Sequence, residues 1–164
     1  MKYWQIFVGL VLTAVFFVSN LPAQAASSSS ITRSAGSEIE IQDYSGKSLV
    51  GKEFTNIKLE NANFSNADLR GVVFNGTLLI GANLHGVNFS DGISYLSNFR
   101  NSNLSDAIFT NAMMLRSTFD NVDVTGADFT NTILDRVEVK KMCANASGVN
   151  SQTGVDTRKS LGCR

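Results

Sequence analysis

Few side chains in this sequence have the type and spacing that catalysis or metal binding requires. His85 is the only histidine among 164 residues, and no second His or Cys near it could complete a metal site. The 14 Asp and Glu recur mainly at outward positions of the repeat described below, so paired carboxylates do not indicate acid–base catalysis. No phosphate-binding glycine loop or Ser–His–Asp set occurs. The sequence therefore predicts a non-enzymatic protein with no catalytic residues, metal or cofactor.

Cys143 and Cys163 are the only two cysteines. In an exported protein an even number of cysteines usually forms disulfides, so we expect these two to be bonded. A disulfide that closes the loop between these two cysteines would stabilise the fold by about 3 kcal/mol in the chain-entropy model. A redox switch is the alternative, and a metal site is disfavoured because no His lies nearby.

Residues 1–25 have the features of a secretion signal. Lys2 gives a positive start, Ile6–Val18 is an apolar run, and Ala23–Ala25 matches the small-x-small pattern that signal peptidase cleaves. The 13-residue run is shorter than the roughly 20 residues of a membrane span, and an uncleaved anchor is the alternative. We expect an exported mature chain without a membrane span, whose residues 26–43 form a flexible lead-in and N-terminal cap.

From Leu49 to Val139 a large apolar residue recurs at every fifth position. Eighteen of nineteen such positions are apolar, Ser94 is the exception, and all eight Phe after residue 25 fall in this register. The predicted core ladder is Leu49, Phe54, Leu59, Phe64, Leu69, Phe74, Leu79, Leu84, Phe89, Phe99, Leu104, Phe109, Met114, Phe119, Val124, Phe129, Leu134 and Val139. In most units a small residue stands two positions before the ladder residue. Gly, Asn or Asp usually stands two positions after it.

An apolar residue at every fifth position is the pattern of neither an α-helix nor a straight β-strand. An α-helix spreads every fifth residue around its circumference, and a straight strand places them on alternate faces. A chain that turns a corner every five residues directs them all to one axis, and Gly or Asn suits such corners. The sequence therefore predicts an all-β solenoid, whose stacked coils pair their backbones about 4.8 Å apart.

The units Ala62–Asn66, Ala67–Gly71 and Ala82–Gly86 resemble the A(D/N)LXX pattern of the pentapeptide repeat family. The resemblance implies a right-handed quadrilateral β-helix with four units per coil, and thus almost five coils over residues 44–139.

Residues 140–164 do not follow the repeat and are predicted to be a C-terminal cap of two short α-helices. Asp156 would begin the second helix and Gly162 would end it. A helix pair bracketed by a disulfide resembles lumenal pentapeptide repeat proteins of cyanobacteria and chloroplasts. The resemblance implies the thylakoid lumen or the periplasm as the location.

Outward positions on one side of the predicted coil are apolar in successive coils. We call this set the apolar face: Val73, Ile93, Tyr95, Met113, Leu115 and Ile133. A contiguous exposed apolar patch usually marks a contact surface, although the lead-in or the C-terminal helices could instead fold over it. We expect a structural or protein-interaction module that binds an unknown protein or a second copy of itself.

The resemblance also implies an alternative function, because some family members mimic DNA and inhibit gyrase. Such mimicry requires a strongly acidic rod in the cytoplasm. Residues 44–139 carry seven basic and ten acidic residues, a net charge of only −3, and they follow a secretion signal. Both observations disfavour the alternative, and no nucleic-acid partner is expected.

Overall fold

The computed structural model describes residues 42–164. The predicted signal peptide and residues 26–41 of the expected lead-in and N-terminal cap lie outside these described residues. The regular elements are five strands and two helices: β1 (Glu53–Thr55), β2 (Val73–Asn75), β3 (Ile93–Tyr95), β4 (Met113–Met114), β5 (Ile133–Leu134), α1 (Arg136–Cys143) and α2 (Thr157–Leu161). The strands form one parallel sheet in the order β1-β2-β3-β4-β5.

Every pairing in the repeat joins residues 20 positions apart. In the sheet, Phe54 is in register with Phe74, and Val73 with Ile93 and then Met113. Three further parallel ladders run through Lys58 and Leu78, Asp43 and Asn63, and Ser48 and Asp68, each continuing upward in steps of 20. Twenty residues therefore make one coil with four sides. We call them side 1 (the sheet), side 2 (the Lys58 ladder), side 3 (the Asp43 ladder) and side 4 (the Ser48 ladder).

The corners between sides use left-handed backbone conformations. Eighteen corner residues between Gly46 and Asn131 have φ between 53° and 72°, and sixteen of them are Gly, Asn or Asp. These residue types adopt this conformation most easily, which explains their recurrence at every fifth position. The two exceptions are Leu96 and Arg116, both at the corner between sides 1 and 2.

The Leu and Phe of the repeat fill the inside of the coil. Seven Phe side chains, from Phe64 to Phe129, are almost completely buried. Phe99 stacks on Phe119 and Phe109 on Phe129, each with ring centroids 5.0 Å apart. Stacked rings at this spacing gain about 0.5–1.5 kcal/mol beyond their area burial.

Ser94 is buried at a core position that large side chains occupy elsewhere. The ring of Phe89 extends beside it, stacked on Phe74 at 5.6 Å, and covers the backbone of Gly92. A Cβ atom on Gly92 would lie only 2.6 Å from that ring, so the small slot, which is Ala, Ser, Thr or Val in most other units, must be Gly here.

Gly92→Ala is therefore expected to lower the free energy of unfolding by about 1–3 kcal/mol, because a buried ring must shift to admit the methyl group. Urea unfolding followed by circular dichroism measures this change. An unchanged unfolding midpoint would show that the ring of Phe89 does not occupy this space.

The predicted boundary between repeat and cap is wrong at Val139. This residue lies half-buried in α1, which begins at Arg136, and is not a further rung of the core ladder. The repeat ends at the half-buried Leu134, because α1 begins at Arg136 and the Glu138 carboxylate accepts the Phe119 N–H that a further coil would have bonded. The second helix follows the prediction: the Asp156 side chain accepts a hydrogen bond from the Lys159 N–H, and Gly162 ends α2 with φ of 69°.

The C-terminal segment supplies a hydrogen-bond acceptor to the last coil on every side. Without it, backbone N–H groups of that coil would have no partner in a following coil. The four pairs are Arg116 N–H to Asp135 Oδ2 (2.6 Å), Phe119 N–H to Glu138 Oε2 (2.9 Å), Gly126 N–H to the Ser147 carbonyl (2.8 Å) and Phe129 N–H to Ser160 Oγ (3.1 Å). The segment therefore acts as a cap in the sense that solenoids require.

Glu138 provides the most buried of these side-chain acceptors. Its other carboxylate oxygen accepts a hydrogen bond from Lys141 Nζ at 2.8 Å. We expect Glu138→Ala to lower the free energy of unfolding by about 1–3 kcal/mol, because the buried Phe119 N–H loses its acceptor. Glu138→Gln still offers a side-chain oxygen as acceptor, so its loss of unfolding free energy should be clearly smaller. Equal stability of the two variants in urea unfolding would contradict this role.

Candidate functional site

The outward residues of side 1 form a continuous apolar surface. Val73, Ile93, Met113 and Ile133 are in register along the parallel sheet, one above the other. Ile93 and Met113 are 37% and 38% exposed, and Ile133 is 54% exposed. Because each strand is extended, its inward residue is flanked by two outward ones, and the second column contains Tyr95.

The structure brings all six residues of the apolar face together on this side. Tyr95 is 38% exposed, whereas Val73 and Leu115 are half-buried. The C-terminal helices leave Ile93, Met113 and Ile133 exposed, so they do not cover the face. The lead-in lies outside the described residues.

Sequence reasoning missed Leu96, which extends the apolar face to the adjoining corner. It is 54% exposed, and its φ of 54° is a conformation that costs a residue with a Cβ atom roughly 1–2 kcal/mol. Strained residues cluster at functional sites, so Leu96 is a candidate member of the contact surface. The detectable signal was Leu96 itself, the one apolar residue at a corner position where Gly, Asn or Asp is the rule.

Arg116 joins its own coil to the coils below and above it, at the same corner of the apolar face. Its guanidinium donates a hydrogen bond to the Tyr95 hydroxyl at 3.0 Å and lies 5.8 Å from the centre of the Tyr95 ring. Its backbone N–H donates to the Asp135 carboxylate. These contacts hold the Tyr95 ring in place and add one positive charge to the edge of an otherwise apolar surface.

The corner after side 1 is also built differently from the others. At other corners the small residue donates its N–H to the carbonyl three residues before it, as Ala67 does to Phe64. Here Ser97 Oγ accepts the Thr77 N–H and donates to the Phe74 carbonyl, and Ser117 Oγ accepts the Ser97 N–H. The serine hydroxyls thus supply hydrogen bonds at this corner in place of the N–H to carbonyl bond that closes the other corners.

Outside the apolar face, the one histidine has a structural partner. His85 Nδ1 lies 2.9 Å from Ser105 Oγ, whose hydroxyl donates to Asn103 Oδ1, so this serine is not activated by the imidazole. Among residues 42–164 no cluster of three His, Cys, Asp or Glu could hold a metal ion. Over the same range no helix has the length and apolar character of a membrane span.

Some charged groups on the described surface form local ion pairs. The hydrogen bond from Lys141 lowers the pKa of Asp120 below its ordinary value and the same contact raises the pKa of Lys141. The hydrogen bond from Arg70 likewise lowers the pKa of Asp68. None of these pairs belongs to the apolar face.

Cys143 and Cys163 form a disulfide, with their Cα atoms 5.6 Å apart. The bond ties the end of α1 to the residue that follows Gly162, and Arg158 reinforces the join by donating to the Cys143 carbonyl at 2.9 Å. The helices and the bridge thus form one C-terminal unit.

Comparison with known proteins identifies the repeat. The family profile described as pentapeptide repeats matches in eight copies, over residues 53–91 and 97–136. No curated protein sequence matches the chain significantly.

Three solved structures illustrate the similarity. A pentapeptide repeat protein from the Arabidopsis thaliana thylakoid lumen is 30% identical, with 74% of this chain and 91% of that chain covered and a TM-score of 0.41. HetL, a pentapeptide repeat protein involved in heterocyst differentiation regulation in the cyanobacterium Nostoc, is 20% identical, with 55% and 41% covered and a TM-score of 0.31. A plasmid-mediated fluoroquinolone resistance protein is 17% identical, with 58% and 78% covered and a TM-score of 0.26.

Proposed function

Because the chain belongs to the pentapeptide repeat family, whose members are generally structural or interaction proteins, we propose that it is a non-enzymatic interaction module. The observation that carries the proposal is the apolar face, whose aligned side chains remain exposed on side 1. Such a surface is costly in water unless a partner covers it.

The fold suits this role because it presents flat, rigid sides. We infer a right-handed quadrilateral helix of almost five coils, the form that the family implies, and the four ladders with a 20-residue register support it. Every coil is held by backbone hydrogen bonds and by a filled interior, so the spacing of the outward side chains is fixed before any partner binds. A preorganised surface loses little conformational entropy on binding.

We infer that the protein works in an exported, oxidising compartment such as the thylakoid lumen or the periplasm. The secretion-signal features of residues 1–25 support this inference, and so does the disulfide, because such bonds persist mainly outside reducing compartments. The alternative of a DNA mimic that binds gyrase is disfavoured by the near balance of charge on the repeat.

Affinity capture from the native compartment tests the function. The tagged protein should retain a protein partner, and Met113→Glu should abolish retention because it places a charge in the centre of the apolar face. Thr118→Glu is the matched control, since Thr118 is an exposed outward residue of the same coil on side 2. Equal retention by both variants would contradict the proposal.

A further inference from the structure

We propose that the partner on the apolar face is a second copy of this chain, packed sheet against sheet in an antiparallel, two-fold symmetric dimer. This proposal deepens the proposed function and rests on it. Three observations support it: the area of the apolar face, the continuous parallel sheet on side 1 and the distribution of charge along that side.

The area fits a dimer of modest affinity. The exposed parts of the apolar face and Leu96 amount to an apolar surface on the order of 500 Å², near the upper end of what a typical monomer exposes. Two such surfaces bury about 1,000 Å² together, before their polar rims are counted, which is the lower limit for a specific interface. We therefore expect a dissociation constant in the micromolar range.

The shape of side 1 fits a copy of itself. It is the one side of the described repeat where strands of two or three residues form a continuous sheet, whereas the other sides have single-residue bridges. Two such sheets pack face to face when outward side chains of one lie between those of the other, at about 10 Å between sheets. Both partners then have the same spacing of about 4.8 Å between rungs, so successive side chains interlock along the whole face.

The charges decide the direction of packing. Side 1 begins with the exposed Glu53 in the first coil and ends beside the exposed Arg136 and Lys140, which lie four residues apart on one side of α1. In a parallel pair Glu53 would oppose its own copy. In an antiparallel pair the two-fold axis lies between the two sheets, perpendicular to the coil axis and level with Ile93. It brings Glu53 of one copy opposite Ile133 and Arg136 of the other, and Val73 opposite the partner's Met113.

Sedimentation velocity over about 2–200 µM tests the dimer with the purified chain. We expect the wild-type protein to shift from monomer to dimer as concentration rises, and Met113→Glu to weaken association at least tenfold. Thr118→Glu should associate like the wild type, and matching circular dichroism spectra and melting temperatures would show that both variants are folded. A wild-type monomer at every concentration, or a dimer that Met113→Glu leaves intact, would overturn the proposal.

A charge exchange tests the antiparallel arrangement. Glu53→Lys and Arg136→Glu should each weaken the dimer several-fold, and the combination should restore most of the affinity. Failure of the combined variant to recover would overturn the antiparallel arrangement. If the wild-type chain stays monomeric while capture of another protein still depends on Met113, then self-association is wrong and the interaction module stands.

Discussion

Phe99→Ala is expected to lower the free energy of unfolding by about 3–5 kcal/mol, the range for emptying a large aromatic site in a packed core. Phe99 is 1% exposed in the middle of the coil and stacks on Phe119 in the coil above. Each side of each coil contributes a single inward side chain of this kind, and the backbone ladders fix the coils, so neighbouring side chains have little freedom to close the cavity.

Urea unfolding of the purified protein measures this loss. The control is Leu78→Ala on the same side, because Leu78 is a half-buried outward residue in the coil beneath Phe99. The control should cost less than about 1.5 kcal/mol, since an outward side chain that is already partly hydrated leaves no closed cavity. Similar losses in the two variants would mean that the inward register is not the source of stability.

Removal of the disulfide is expected to have the second largest effect. Cys143→Ser combined with Cys163→Ser should lower the free energy of unfolding by about 3 kcal/mol, because a bridge across 20 residues restricts the unfolded chain. The bridge also keeps α2 in place, and α2 carries Ser160, the acceptor for the Phe129 N–H.

Denaturant unfolding with and without a reductant checks the size of the effect. The reduced wild-type protein should match the double serine variant. Hydrogen exchange should accelerate at Phe129, whose acceptor lies in the cap, and much less at Phe74 in the second coil. A double variant as stable as the oxidised wild type would show that the cap holds without its covalent bridge.

The core could be predicted from sequence because one rule determines it. A corner every five residues places Phe64, Phe99 and Phe129 in equivalent buried environments. Each unit of the sequence therefore indicates the same inward position. The family resemblance drawn from these units is confirmed by the profile match.

The boundary at Val139 was harder to predict because the apolar spacing continues by coincidence into α1. A polar side chain, the buried Glu138, ends the repeat. Its carboxylate accepts the backbone N–H of Phe119 on side 2 of the last coil. A pattern of apolar positions does not reveal that a carboxylate will accept a backbone N–H 19 residues earlier. For the same reason the acceptor roles of Asp135 and Ser160 were not foreseen.

The apolar face was visible in the sequence, but its exposure was not. Alignment by 20 places Ile93 and Met113 on one side, whereas the coverage of that side depends on where α1 turns after β5. The contribution of Leu96 was missed because corner positions favour Gly, Asn or Asp for their left-handed backbone, and an apolar residue at such a corner was not assigned to the face.

Methionine oxidation tests the central claim most directly, because Met113 and Met114 are adjacent and should point in opposite directions. Met113 is 38% exposed on the apolar face, and Met114 is completely buried in the core. On treatment of the dilute, folded protein with hydrogen peroxide, mass spectrometry should find Met113 oxidised rapidly and Met114 protected. Oxidation of Met113 should slow as the protein is concentrated into the dimer range. Equal rates at the two residues would contradict both the inward register and the outward apolar face.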